Sequence, residues 1–232
     1  MENVPFYVYA TFLVTLLLTL YFFYRATPRG VRFLLVAALW LLLQSGFSLL
    51  GLYAINGISA PKTPLLLVPP LLAILALFST AAGRRWIKSL SPRWLTLLHV
   101  VRIPVELVLF WLFLYKTVPQ SMTFEGRNFD IVSGLTAPFI YYFGYFRNRL
   151  SRTVLLGWNL GCLGLLINIA FIAVRAVPRG TFMAGSPPNI AVLHFPFLFL
   201  PAVIVPLVLF AHVATIRQLI FSSFSNNKLS SI

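Results

Sequence analysis

Acidic side chains are scarce in this chain. Of 232 residues only four are acidic, Glu2, Glu106, Glu125 and Asp130, against eighteen lysines and arginines, for a formal charge of +14. Cysteine is nearly absent: Cys162 stands alone, so no intrachain disulfide forms and the redox compartment is uninformative. The three histidines, His99, His194 and His212, fall at two different depths, so a zinc hydrolase lacks the roughly three ligands at one level that it needs. The four lysines lie in loops, at helix ends or in the tail, which leaves the last apolar run without the lysine of a retinal Schiff base. No GxSxG, Walker A or glycine-rich nucleotide loop is present. The start, Met1-Glu2-Asn3-Val4-Pro5, has neither the basic region nor the small-residue site of a signal peptide, so the first apolar run is expected to remain as a helix.

What is abundant is hydrocarbon. Hydrophobic residues make up 59% and charged ones only 9%, with a mean hydropathy of +0.91, far from a soluble domain with about 25% charged residues. A bilayer core takes about 20 apolar residues per helix. The charges divide the chain into seven such runs, near 5–24, 33–55, 64–82, 94–116, 130–146, 153–175 and 190–216. The expected fold is an all-α polytopic membrane protein, residues 1–221 forming one seven-helix domain and 222–232 a cytoplasmic tail.

The basic residues alternate from loop to loop. Arg25, Arg29, Arg32, Arg84, Arg85, Lys88, Arg93, Arg147, Arg149, Arg152, Arg217 and Lys228 fall on one side; Lys62, Lys116, Arg127, Arg175 and Arg179 fall on the other. The positive-inside rule makes the richer side cytoplasmic, with the N-terminus out and the C-terminus in. This accounts for the charge without nucleic acid, and the cytoplasmic arginines also suit anionic lipid headgroups. Two outer segments, 118–130 and 177–189, carry enough polar and turn-forming residues to shape an external surface, the first through Glu125, Arg127, Asn128 and Asp130.

Helix ends YFFYRATPRG and YFGYFRNRLSR match in pattern, as do the proline placements of APKTPLLLVPPLLAI and SPPNIAVLHFPFLFLPAVI. They suggest a parallel 3+1+3 repeat, an arrangement similar to SWEET-type and PQ-loop transporters. Pro119-Gln120 lies at the end of helix 4, however, and not in the first helix of each repeat, where that family carries the dipeptide. Aromatic belts and basic ends shared by all membrane helices explain the matches equally well.

One apolar run is interrupted by charge: HVVRIPVE, residues 99–106. At 100° per residue Arg102 and Glu106 sit within about 60° of His99, and the stripe rises roughly 10 Å along the axis. Each charge at that depth costs roughly 2.5–3.5 kcal/mol on insertion scales, so the stripe is expected to face the protein interior. Pro104 cannot bond the carbonyl of Val100 and should kink the helix. Either Arg102 and Glu106 neutralise one another and pin helix 4, or they line a ligand or proton site. His212 is placed at the depth of His99, and Gln44 and Asn168 at that of Glu106. Asp130 also reads as a helix N-cap.

HVVRIPVE, TFEGRNFD and PAVIVPLVLFAHVATIRQL resemble segments of small bacterial seven-helix integral membrane proteins of uncharacterised activity. The resemblance implies a bacterial cytoplasmic membrane and carries no activity over. From the residues, the expected function is binding or transport of a small polar or anionic molecule rather than catalysis. Arg102 would anchor the anion, Glu106 act as counter-ion or proton carrier, and His99 and His212 as a gate or relay. Two alternatives stand beside it: a redox protein holding haem b or a metal between His99 and His212, and a non-catalytic interaction component. No cofactor is expected on the first.

Overall fold

The computed structural model describes residues 4–53, 62–177 and 187–229, with side chains up to residue 221. Glu2, Pro61, Arg179 and most of the second outer segment lie outside the described residues, as do the side chain of Lys228 and the end of the tail.

Every regular element among the described residues is helical: α1 (Phe6–Ala26), α2 (Gly30–Leu49), α3 (Pro64–Ser79), α4 (Ala81–Lys88), α5 (Pro92–Leu98), α6 (Arg102–Leu114), α7 (Ile131–Ile140), α8 (Arg152–Arg175) and α9 (Val205–Leu229). Five apolar stretches are long enough to cross a bilayer: Phe6–Ala26, Gly30–Leu49, Pro92–Leu114, Arg152–Arg175 and Leu200–Phe221. The α3–α4 pair adds a sixth if it is one broken span, and Ile131–Phe146 is shorter. The chain is a helical, membrane-embedded protein.

Three runs differ from straight spans. The third stops at Ser79 and turns by 90° into α4. Thr80 is extended there and its hydroxyl accepts the Gly83 N–H at 3.1 Å. A Cβ on Gly83 would lie 2.2 Å from the Leu77 carbonyl oxygen, so the corner requires glycine. Beyond it α4 buries Ile87 and exposes Arg85, the pattern of a helix lying along an interface. The fifth run relaxes after Pro138 into wide turns over Tyr141–Phe146. The seventh begins as a helix only near Leu200, because Pro187, Pro188 and Pro196 withhold the N–H groups an earlier start needs. Residues 222–229, expected in a solvated tail, continue α9.

α1 is central. Val8, Phe12, Thr15, Leu16, Thr19, Leu20, Phe23 and Ala26 recur every three or four positions and are buried. They face α5, α6 and α2. The two threonines cost little there, because each hydroxyl donates to the carbonyl four residues back, at 2.7 and 2.8 Å.

α2 is peripheral, with only Gly30, Ala37 and Gln44 buried. Its leucines other than Leu41 face outward, as hydrocarbon solvent permits. Two polar side chains one turn apart fasten it. Trp40 Nε1 donates to the Ala202 carbonyl at 3.0 Å, and Gln44 Nε2 to the Leu65 carbonyl at 3.3 Å. Each acceptor lies four residues before a proline, Pro206 and Pro69, that has no N–H to offer it.

The bundle has two distinct ends. At one, Ser91 N–H donates to the Ala26 carbonyl, Gln218 Nε2 to the carbonyls of Ile87 and Leu90, and Arg152 Nη2 to that of Ile220. Most of the basic residues gather there; Arg25, for one, lies 4.3 Å from the Trp94 ring centre. At the other end the segments after α6 and α8 meet, with Ile190 N–H donating to Thr117 O and Asn189 N–H to Ala176 O. Val118 and Met122 are buried, so the first outer segment grows inward rather than forming only an external surface, and Ala191, Leu193 and Phe197 at the start of the seventh run are buried beside it.

Candidate functional site

The charged run forms three tiers along α5 and α6. A tight turn, His99–Val101, breaks the Pro92–Leu114 span, and α6 restarts at Arg102 with Pro104 in its first turn, where a missing N–H is not needed. His99, Arg102 and Glu106 all point inward and are at most 2% exposed.

In the first tier the rings of His99 and His212 stack 3.8 Å apart and 16° from parallel. Trp158 lies against both, and His212 Nδ1 is 3.0 Å from Asn159 Oδ1. Asn159 Nδ2 is in turn anchored on the Leu155 carbonyl. Neither nitrogen of His99, nor Nε2 of His212, has a hydrogen-bond partner.

Arg102 holds the second tier. Its Nη1 forms an ion pair with Asp130 Oδ1 at 3.0 Å and reaches the Cys162 carbonyl at 3.4 Å. α7 comes close enough for this because of Gly134, where a Cβ would lie 2.8 Å from Ile103 Cγ1 and 3.0 Å from Ile103 N. The other edge of the guanidinium, Nε and Nη2, is buried and has no partner. That edge is the side-on fork that grips a carboxylate or phosphate with two parallel bonds.

Glu106 makes the third tier. Asn128 Nδ2 donates to its Oε1 at 2.6 Å and to the Met122 carbonyl at 3.0 Å, while Asn128 Oδ1 accepts the Asp130 N–H at 3.1 Å. Glu106 Oε2 has no partner. One asparagine thus joins the loop, the acid of α6 and the start of α7.

Several sequence expectations need correction. The partner of Arg102 is Asp130 and not Glu106. The i,i+4 spacing allows a pair with Glu106, but Gly134 lets Asp130 come closer. Asp130 makes no side-chain cap on α7, because its carboxylate is committed to Arg102. Of the four residues placed on the outer surface, only Glu125 and Arg127 are exposed; Asn128 and Asp130 are buried in the column. Gln44 is taken up by Leu65 and by Tyr53, whose hydroxyl donates to Gln44 Oε1 at 2.5 Å. Asn168 is exposed, and its Nδ2 holds the Arg127 carbonyl at 2.9 Å. His194 is exposed, with Nδ1 2.9 Å from the Ile190 carbonyl.

His99, Arg102, Glu106 and His212 do come together, with Asn159 and with Trp158, the latter a partner that sequence reasoning left out of the site. The spacing of Trp158, Asn159 and Cys162 on one face of α8 is the signal that points to them. The stacked histidines leave no slot for a porphyrin between them. Among the described residues no three His, Cys, Asp or Glu side chains are grouped to hold a metal ion. Comparison with protein-family models, with curated proteins and with solved structures finds no match.

Proposed function

We propose that this chain is a seven-crossing protein of a bacterial cytoplasmic membrane that binds a small oxyanion at Arg102 and carries it together with a proton. The seven crossings comprise the five long spans, the broken α3–α4 pair, and Ile131–Phe146, whose short length is made up by the ingrown 118–130 segment. By the positive-inside rule the gathered arginines make their end cytoplasmic, leaving the N-terminus and the ingrown 118–130 segment outside.

The observation that carries the binding site is the unpartnered Nε and Nη2 edge of Arg102 inside the buried column. A buried guanidinium edge costs free energy unless something accepts from it. A carboxylate, nitrate or phosphate oxygen pair supplies that acceptor. Asp130 already balances the charge of Arg102, so an arriving anion adds one negative charge beside Glu106. Binding is therefore favoured when Glu106 takes up a proton, and affinity rises as pH falls. Entry from outside runs past Asn128, whose bond to Glu106 ties the 118–130 loop over the column.

The test uses purified protein in detergent, titrated calorimetrically with acetate, nitrate and phosphate at two pH values. Arg102→Lys keeps a cation for Asp130 but removes the fork. The expected result is a folded variant with binding reduced at least tenfold, and a Glu106→Gln variant that binds without pH dependence. Unchanged binding in folded Arg102→Lys, or no binding of any of the three anions by the parent protein, overturns the proposal.

A further inference from the structure

A second candidate site lies on the opposite flank of α1. A cavity of about 560 Å³ separates the peripheral helices α2 and α3 from α9, and its deep part is walled by Ala37, Trp40, Pro69, Ala73 and Pro206. Its lip carries Thr27, Arg29 and Arg32. These three also line an adjoining pocket of about 490 Å³, formed with Tyr24, Arg25 and Gly30. An apolar slot therefore opens directly into a basic bowl.

Three independent features give the bowl a preference for anions. Arg29 and Arg32 supply charge. The Thr27 hydroxyl, in a residue only 7% exposed, has no partner. The first turn of α2 presents Gly30, Val31 and Arg32 to the bowl, and Arg29 provides no side-chain cap for their N–H groups. The slot sets the other half of the ligand. From Arg32 to Trp40 it follows α2 for about 12 Å, which approaches one leaflet's share of a hydrocarbon core about 30 Å thick. Trp40 and Gln44 tie α2 to its neighbours through two hydrogen bonds at the far end of the slot.

We infer that this slot and bowl form a binding site for an anionic phospholipid, one acyl chain lying between α2, α3 and α9 and the phosphate held by Thr27, Arg29 and Arg32. The site shares no residue with the Arg102 column, so the two proposals stand or fall separately. Each arginine near a headgroup phosphate contributes about 1 kcal/mol, or about fivefold in affinity, and the pair about thirtyfold.

The test exploits Trp40 and Trp86, both of which line the slot. Full-length protein in detergent is titrated with phosphatidylglycerol brominated in its acyl chains, and tryptophan quenching is followed. Brominated phosphatidylcholine and inorganic phosphate serve as comparisons. The expected result is saturable quenching by phosphatidylglycerol at a concentration at least tenfold below that of phosphatidylcholine. It should weaken about thirtyfold in Arg29→Gln/Arg32→Gln and be lost in Ala73→Phe, which fills the slot, while circular dichroism confirms the helices. Native mass spectrometry of the unmodified protein after exposure to mixed vesicles gives a reading that needs no variant, and phosphatidylglycerol should be retained preferentially. Equal affinity for the two lipids, equal retention of both, or quenching untouched by folded Ala73→Phe overturns the inference. Displacement of the lipid by equimolar inorganic phosphate overturns it as well, because the acyl chain would then add nothing.

Discussion

Arg102 and Arg29 are the same side chain in two solvents. Arg102 lies in the protein interior, paired with Asp130 and pressed against the Cys162 carbonyl, at 3% side-chain exposure. Arg29 is exposed at the lip of an open slot. The helices around the first pack through small residues and polar side chains, whereas α2 and α3 beside the second bury only Gly30, Ala37, Gln44 and Leu66, and α2 is tied down at two carbonyls. The comparison shows that in this chain polarity is spent in two ways: inward, to assemble a column, and at proline-freed carbonyls, to hold peripheral helices that have little hydrophobic reason to stay.

The sharpest way to break the contrast is to remove one half of the ion pair. Asp130→Ala leaves the Arg102 charge buried without its carboxylate, an expected loss of about 3–5 kcal/mol. Arg29→Gln, an exposed change, is expected to stay within about 0.5 kcal/mol. Unfolding by sodium dodecyl sulfate, followed by circular dichroism, measures both. Removing the pair together, as Arg102→Met/Asp130→Leu, should recover most of the stability while abolishing anion binding, because the desolvation cost disappears with the charges. Equal effects of Asp130→Ala and Arg29→Gln would erase the distinction between the two arginines.

A smaller effect comes from the contact that lets α7 approach. In Gly134→Val the new Cβ meets Ile103 and its backbone, and overpacking of this kind costs about 1–3 kcal/mol. α7 should move outward and the ion pair lengthen, so anion affinity falls along with stability. Asn128→Ala acts on the neighbouring tier. It leaves Glu106 Oε1 and the Met122 carbonyl without their donor, at about 1–3 kcal/mol. Faster hydrogen exchange confined to residues 118–130 would show that the asparagine ties the loop down.

Much of this was legible in the sequence, and the reason is local. His99, Arg102 and Glu106 share a face through helical periodicity, and a face bearing charge has only the interior to turn to. His212 follows from depth alone. Asp130 and Asn128 were not legible as column residues, because a polar segment between apolar runs ordinarily stays at the surface. What draws it inward is Gly134, whose missing side chain matters only once α6 is beside it. Gln44 and Asn168 turn away from the column, one to Leu65 and Tyr53 and the other to the Arg127 carbonyl, and depth counting carries no information on azimuth. The 90° corner at Thr80 was hidden because a run of apolar residues reads as one span until a backbone contact at Gly83 bends it.

The smallest expected effect probes the fastening of α2. Trp40→Phe keeps the apolar bulk in the slot but removes the donor to the Ala202 carbonyl, which Pro206 cannot replace. Gln44→Leu likewise frees the Leu65 carbonyl ahead of Pro69, and it also strands the Tyr53 hydroxyl. Side-chain hydrogen bonds between membrane helices average about 0.6 kcal/mol, so neither variant should unfold the protein. Their effect should instead appear on α2 alone, as faster hydrogen exchange over Gly30–Leu49 with no change at the column. Gln44→Leu should be the larger of the two, since it breaks two bonds where Trp40→Phe breaks one. Protection lost equally from α2 and α6 would mean that the two regions form one cooperative unit, and that the peripheral helix is bound more tightly than its few buried residues indicate.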